Sequence, residues 1–184
     1  MISGNKRRET LKWFIAGQAG HGKDAFAGFL SEIAGARHVS SSVVATAYVE
    51  GFLRERYGMT YPSQRECWED RVNHRERWFE AIAAMGEDDP LALTKEILRE
   101  HDFYVGIRNI REFQAAKDAG LVALSIWIDA EERLGKTEGD GSLTISASDC
   151  HLVIKNNASL WDLRGEAERI IILARAGGML RALE

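Results

Sequence analysis

Residues Gly17 to Asp24 read GQAGHGKD, between the apolar run Trp13 to Ala16 and a helix-like stretch, AFAGFLSEIAG. The spacing is G-x-x-x-x-G-K, the pattern of a loop whose backbone amides converge on phosphate oxygens. Glycine permits the backbone angles such a loop needs, and the positive end of the following helix adds attraction for an anion. Gly17, Gln18, Ala19, Gly20, His21, Gly22, Lys23 and Asp24 are therefore the candidate nucleotide-binding residues, with Lys23 placed to bridge the outer phosphates. Asp24 departs from the pattern, which has Ser or Thr there. A carboxylate at that point binds magnesium directly or holds one of its waters, because the ion prefers oxygen and keeps much of its hydration shell. The plainer alternative is a helix N-terminal carboxylate favoured by the dipole.

Further candidates lie along the chain. Arg108, in GIRNIREF, follows an apolar run, and Arg111 is one turn later; an arginine fork matches phosphate oxygens and developing charge. In PSQRECWEDRVNHRERWFEAIAAMG, Trp68, Val72, Phe79 and Ile82 form an apolar stripe at helical spacing, and Arg75 interrupts it. Arg71, His74, Arg75 and Trp78 share a face at i, i+3, i+4, i+7. Such a face suits a phosphate and a stacked base, making Arg71, Arg75 and Trp78 candidate substrate-binding residues. The alternative is a helix whose arginines lie over core aromatics and pair with Glu69, Asp70 or Glu76. The polar excursion DAEERLGKTEGDGSLTISA, about 130–147, has the position of a short lid. Arg133 and Lys136 are its cations amid Glu131, Glu132, Glu138 and Asp140, which makes Arg133 a catalytic candidate. Asn156 and Asn157 close the last apolar run, where either an adenine-contacting loop or plain turn chemistry accounts for them. Asp102 and Asp129 are candidate general bases by position alone.

These residues need a scaffold. Short apolar runs alternate with amphipathic stretches, the signature of a parallel sheet wrapped by helices on both faces. Strands are predicted at about 12–16, 37–41, 102–107, 122–129 and 151–155, and helices at about 23–34, 43–57, 64–85, 90–100, 109–119 and 160–176. Runs such as FYVGI and VALSIWI are apolar throughout, as expected for strands covered on both sides. Ligands of such sheets bind at the carboxyl ends of strands, which is where the candidates cluster.

The 184 residues, 45% of them apolar, predict one globular domain. No apolar stretch approaches the roughly 20 residues a membrane span requires, and the polar start MISGNKRRET is unlike a secretory signal, so a cytoplasmic location is expected. The two cysteines, Cys67 and Cys150, stand apart and suggest neither a zinc site nor a disulfide framework. A net charge of −4 gives no global attraction to nucleic acid, so any polyanion must meet a local patch such as Arg65, Arg71, Arg75 and Arg77.

GQAGHGKD, FYVGIR, WIDAEER and DCHLVIKNNASL together resemble the phage deoxynucleoside monophosphate kinase group of P-loop kinases, over nearly the whole chain. Within that group the chain is most similar to compact members, some of which phosphorylate 5-hydroxymethyluracil in DNA during thymidine hypermodification. The resemblance implies a three-layer α/β/α fold with a five-stranded parallel sheet and a reduced lid, ATP and Mg2+ as cofactors, catalytic roles for Lys23, Asp24 and Arg108, and an infected bacterial host if the chain is phage-encoded. The sparse cations of the lid and the short chain favour an uncharged hydroxyl acceptor, so transfer to the 5-hydroxymethyl group in DNA is the leading expectation. A deoxynucleoside monophosphate is the second acceptor, and a nucleotide-binding regulatory module without transfer is the third reading. A homodimer is compatible with all three.

Overall fold

The computed structural model describes residues 12–137 and 143–177. Five strands, β1 Trp13–Ala16, β2 His38–Ser40, β3 Phe103–Val105, β4 Leu124–Asp129 and β5 Leu152–Lys155, form one sheet in the order β2-β3-β1-β4-β5. Every pairing is parallel, with Phe14 opposite Tyr104 on one side and Ser125 on the other. The five strands predicted from sequence are all present, each within a few residues of its expected ends. The chain leaves β1 toward β2 on one side and later crosses to β4 on the other, which makes the carboxyl end of β1 the switch point where such sheets bind ligands.

Alternation along β1 explains the layers. Trp13 and Ile15 point into a core built with Phe26 and Leu30 of α1 (Lys23–Ala34) and Leu163 and Ile171 of α8 (Leu160–Ala176). Phe14 and Ala16 point the other way, into a core with α2 (Ser41–Tyr57), α3 (Gln64–Asp70), α4 (Arg75–Met85), α5 (Ala92–Glu100) and α6 (Ile110–Asp118). Both faces of a parallel sheet are thereby removed from water, which is why its strands read as continuous apolar runs. The short helix α7 (Glu131–Leu134) follows β4. Cys67 is buried and Cys150 half-buried, both as free thiols.

The single helix expected over 64–85 is two. Helix α3 stops at Asp70, and α4 begins at Arg75 after a turn closed by Asn73 N–H on Asp70 O (2.9 Å) and His74 N–H on Arg71 O (3.3 Å). Asp70 organises this turn: Oδ2 accepts from the Tyr61 hydroxyl at 2.9 Å, and Oδ1 accepts from Asn73 Nδ2 at 2.7 Å. Short polar side chains that bond nearby groups compete with helix geometry. The break puts Val72 into solvent, so the apolar stripe drawn through Trp68, Val72 and Phe79 does not exist as one face.

Candidate active site

Helix α1 starts without a side-chain cap: Gly22 occupies the cap position with φ 96°, and the first-turn amides are left to the loop. Two glycines here are dictated by neighbours as well as by backbone angle. A Cβ on Gly17 would lie 2.4 Å from the Ile128 carbonyl oxygen on β4, and one on Gly22 would lie 2.4 Å from Asn156 Nδ2. The loop is thus wedged between the ends of β4 and β5.

Side chains from those ends hold it. His21 is buried, its Nδ1 accepting from Ala130 N–H at 3.0 Å. That assigns the proton to Nε2, which donates to Gly135 O at 3.1 Å. Asn156, also buried, donates from Nδ2 to His21 O at 2.8 Å and from its backbone to Asp129 O at 2.6 Å. Thr137 closes the outer side, its N–H bonding Gln18 Oε1 and its hydroxyl bonding Ala19 O, each at 2.6 Å. Asn156 is therefore committed to shaping the Gly17–Asp24 loop. Sequence reasoning had no signal for the role of His21, Thr137 or Asn156, because the loop contacts they make span 109 to 135 positions of chain.

Lys23 is buried and donates from Nζ to Gln18 O at 2.6 Å, inside the loop. Asp24 is exposed on the first turn of α1. Both line a cavity of about 320 Å³ that also carries Ser41, Arg71, Arg75, Trp78 and Arg108. The cavity is thus walled by the loop, the α3–α4 break and the β3–α6 connection, which brings together the lysine, the aspartate and three of the arginines singled out from sequence, Arg71, Arg75 and Arg108. Among the described residues no group of three acidic, histidine or cysteine side chains could cage a metal. A magnesium ion fits only as one held chiefly by phosphate oxygens and water with Asp24 as its protein carboxylate, which agrees with the ion's reluctance to shed water.

The arginines differ in setting. Arg71 lies 3.7 Å from the Trp68 ring centre and donates to Trp68 O at 2.7 Å, and burial lowers its pKa while Asp24 opposes that shift. Arg75 is exposed at the start of α4. Arg65 pairs with Glu69 and Arg77 lies over Tyr57, so two of the four arginines proposed as a nucleic-acid patch are engaged by other side chains. Trp78 is only 4% exposed and forms part of the apolar wall of the cavity. Arg133 lies outside the cavity lining, with Nε 3.4 Å from Asn156 O. Asn157 is half-buried, with Oδ1 unpartnered among the described residues. Of the expected lid, 138–142, with Glu138 and Asp140, lies outside the described residues.

Both candidate bases are corrected. Asp102 sits at the amino end of β3, at the opposite end of the strands from the loop, where it pairs with Lys12 and accepts from Arg37 N–H. Asp129 is at the correct end but is occupied: Lys155 donates to Oδ2 at 2.6 Å and Glu131 N–H to Oδ1 at 2.8 Å, and the lysine bond holds its pKa below the usual range.

One residue was overlooked. Glu112, on the first turn of α6, is 7% exposed and lines the cavity; its Oε1 accepts from Thr94 Oγ1 at 2.7 Å and from the buried Tyr104 hydroxyl at 3.2 Å. Burial pushes its carboxyl up to about 7 against those two bonds. In sequence it is one more glutamate on an amphipathic helix.

No protein-family model and no curated protein sequence matches the chain. Solved structures do. A shikimate kinase from Acinetobacter baumannii in complex with shikimate superimposes with a TM-score of 0.51 at 15% identity, covering 92% of this chain and 96% of that one. A sugar kinase from a Janibacter species (TM-score 0.49, 14% identity, 91% and 97% covered) and a gluconokinase from Sinorhizobium meliloti (0.46, 14%, 96% and 100%) are looser matches. The likeness to the shikimate kinase is one of fold: the chain has the α/β architecture expected from its sequence, a five-stranded parallel sheet covered by helices. No described helix is long and apolar enough to cross a membrane.

Proposed function

We propose that the protein is a magnesium-dependent kinase that moves the terminal phosphoryl group of ATP onto the phosphate of a deoxynucleoside monophosphate, yielding ADP and the deoxynucleoside diphosphate. One observation carries the reading: a single cavity joins Lys23 and Asp24 to Arg71, Arg75 and Arg108, and beyond them to the apolar wall of Trp78, Phe79 and Ile82. The cationic part suits two clusters of phosphate oxygens that must approach each other, and the apolar part suits a flat base.

In the transfer, the bond from the γ-phosphorus to the oxygen bridging it to the β-phosphate breaks, and its electrons leave with ADP. An acceptor phosphate oxygen forms the new bond. That oxygen is already ionised, so no proton has to be removed. Catalysis of this kind is alignment and charge stabilisation. Lys23 exchanges the Gln18 carbonyl for a phosphate oxygen, and Arg108 faces the acceptor. Magnesium, when bound, neutralises charge on the β- and γ-phosphates, and Asp24 is the carboxylate to hold it or one of its waters.

The leading acceptor expected from sequence, the hydroxymethyl group of a base in DNA, has less support. An alcohol calls for a base, and Asp102 and Asp129 are both engaged elsewhere. DNA calls for a run of cations to replace its counterions, and Arg65 and Arg77 are turned to other partners. The fold neighbour solved with shikimate holds a small free molecule, and a small acceptor is the property carried over here.

Incubation with ATP labelled at the γ-phosphate, magnesium, and either the four deoxynucleoside monophosphates or hydroxymethyluracil-containing DNA tests the reading. Label in one or more diphosphates is expected. Label in DNA alone would replace this acceptor with the other, and ATP binding without transfer to anything would make the protein a regulatory module.

A further inference from the structure

Resting on the reading of the cavity as the acceptor site, the geometry points to Glu112 as the residue that selects the acceptor: its Oε2 takes a hydrogen bond from an N–H or O–H donor on the uncharged end of the acceptor molecule.

Two observations converge on this assignment. Glu112 is nine-tenths buried yet lines the cavity, whose lining also includes the apolar side chains of Leu93 and Phe79. A carboxylate in such surroundings is costly unless its oxygens are bonded. Oε1 takes two side-chain donors, Thr94 Oγ1 and Tyr104 Oη, and a bond from the Thr94 backbone also favours the ionised carboxyl. Two carboxylate oxygens offer about four acceptor positions, so the group keeps capacity for a donor on a ligand in the cavity. Nucleobase edges carry N–H donors on a planar apolar body.

The loop and the arginines handle charge that every monophosphate shares, so they cannot tell one acceptor from another. Glu112 touches only the distal end. Its bonds to Thr94 and Tyr104 tie it to α5 and β3, so its carboxyl plane is fixed before the ligand arrives. A site built around such a bond rejects molecules that lack the matching group more strongly than an apolar pocket rejects a missing methylene.

Glu112→Gln tests this at constant shape. Thr94 and Tyr104 retain an oxygen to bond, so Nε2 takes the place of Oε2, and an acceptor becomes a donor. For the monophosphate that wild type uses best, KM is expected to rise at least tenfold with kcat changed less than threefold and KM for ATP unaltered. Wild-type acceptor KM is expected to rise as pH falls below about 7, as Oε2 takes up a proton, and the variant is expected to be flat. Tyr104→Phe removes a bond that favours the ionised carboxyl, so it should move the wild-type transition to higher pH, a change that a purely structural glutamate would not show. Calorimetric titration of each monophosphate into the ADP-loaded protein separates this inference from the functional reading. If wild type binds none of the four at millimolar concentration, the acceptor reading falls and this inference with it. If wild type binds or turns over a monophosphate and Glu112→Gln leaves KM and its pH profile unchanged, or lowers kcat alone, Glu112 does not select the acceptor.

Discussion

Asn156 donates from Nδ2 to the carbonyl oxygen of His21 across 2.8 Å, tying the end of β5 to the middle of the phosphate loop. The same nitrogen stands 2.4 Å from where a Cβ on Gly22 would be, so the clamp and the glycine require each other.

Removing the clamp should therefore loosen nucleotide binding before it affects the rest of the sheet. Asn156→Ala leaves a buried carbonyl unsatisfied, which costs about 1–3 kcal/mol. We expect that loss in urea denaturation, together with a dissociation constant for ATP raised about tenfold in calorimetry.

Lys23→Ala should abolish turnover, by about a thousandfold or more, because a donor aimed at developing charge is lost. The Gln18 carbonyl it releases still accepts from His21 N–H at 3.3 Å, so the far-UV spectrum and melting temperature should stay close to wild type. Labelled-ATP assays and a melting curve check both halves. Near-normal turnover in the folded variant would remove the loop from the chemistry.

Arg75 is exposed at the start of α4 and contributes nothing to the core. Arg75→Ala is expected to raise KM for the monophosphate about tenfold while KM for ATP and the unfolding midpoint hold steady. Arg71→Ala should weaken the acceptor and also destabilise the fold by roughly 1 kcal/mol, through the lost stacking on Trp68. A steady-state comparison of the two variants with parallel denaturation distinguishes an anion-binding role from a structural one; lost stability with unchanged acceptor KM at Arg75 would show the latter.

Glu112 also makes stability depend on pH. Its carboxyl sits above the ordinary value of 4.5, at about 7, because burial disfavours the ion. The stabilising contribution of the protonated form is complete below about 4.5 and is lost as pH rises through 7. The loss amounts to roughly 3 kcal/mol. Glu112→Gln cannot ionise, so its stability relative to wild type should increase between pH 5 and pH 8. Urea midpoints at the two pH values measure the difference; a constant gap would place the titration elsewhere.

Much of this was legible in the sequence, and the reasons differ by residue. The five strands and the loop at the end of β1 follow from local signals: apolar runs, glycine spacing and a lysine in register. Arg71, Arg75 and Arg108 share a cavity with Lys23, but the reason given for the first two, one continuous helical face, was wrong. Asp70 draws Tyr61, Asn73 and His74 around itself and breaks the helix, and a helical period cannot register side-chain bonds that outcompete the backbone ladder. Asp102 was misplaced because a strand's polarity in the sheet, not its sequence neighbourhood, decides which end meets the ligand. Glu112 could not be found at all: its significance comes from Thr94 and Tyr104, 18 and 8 positions away.

The approach of Gly17 to the Ile128 carbonyl has a practical corollary for protein engineering. The first residue of the loop is chosen by the adjacent strand, independently of any nucleotide, so the octapeptide is not a portable cassette. Grafted onto another scaffold it would recover its curvature only if the host supplied the flanking strand at the same separation, and a library that randomised this glycine would lose folded members before binding was ever selected.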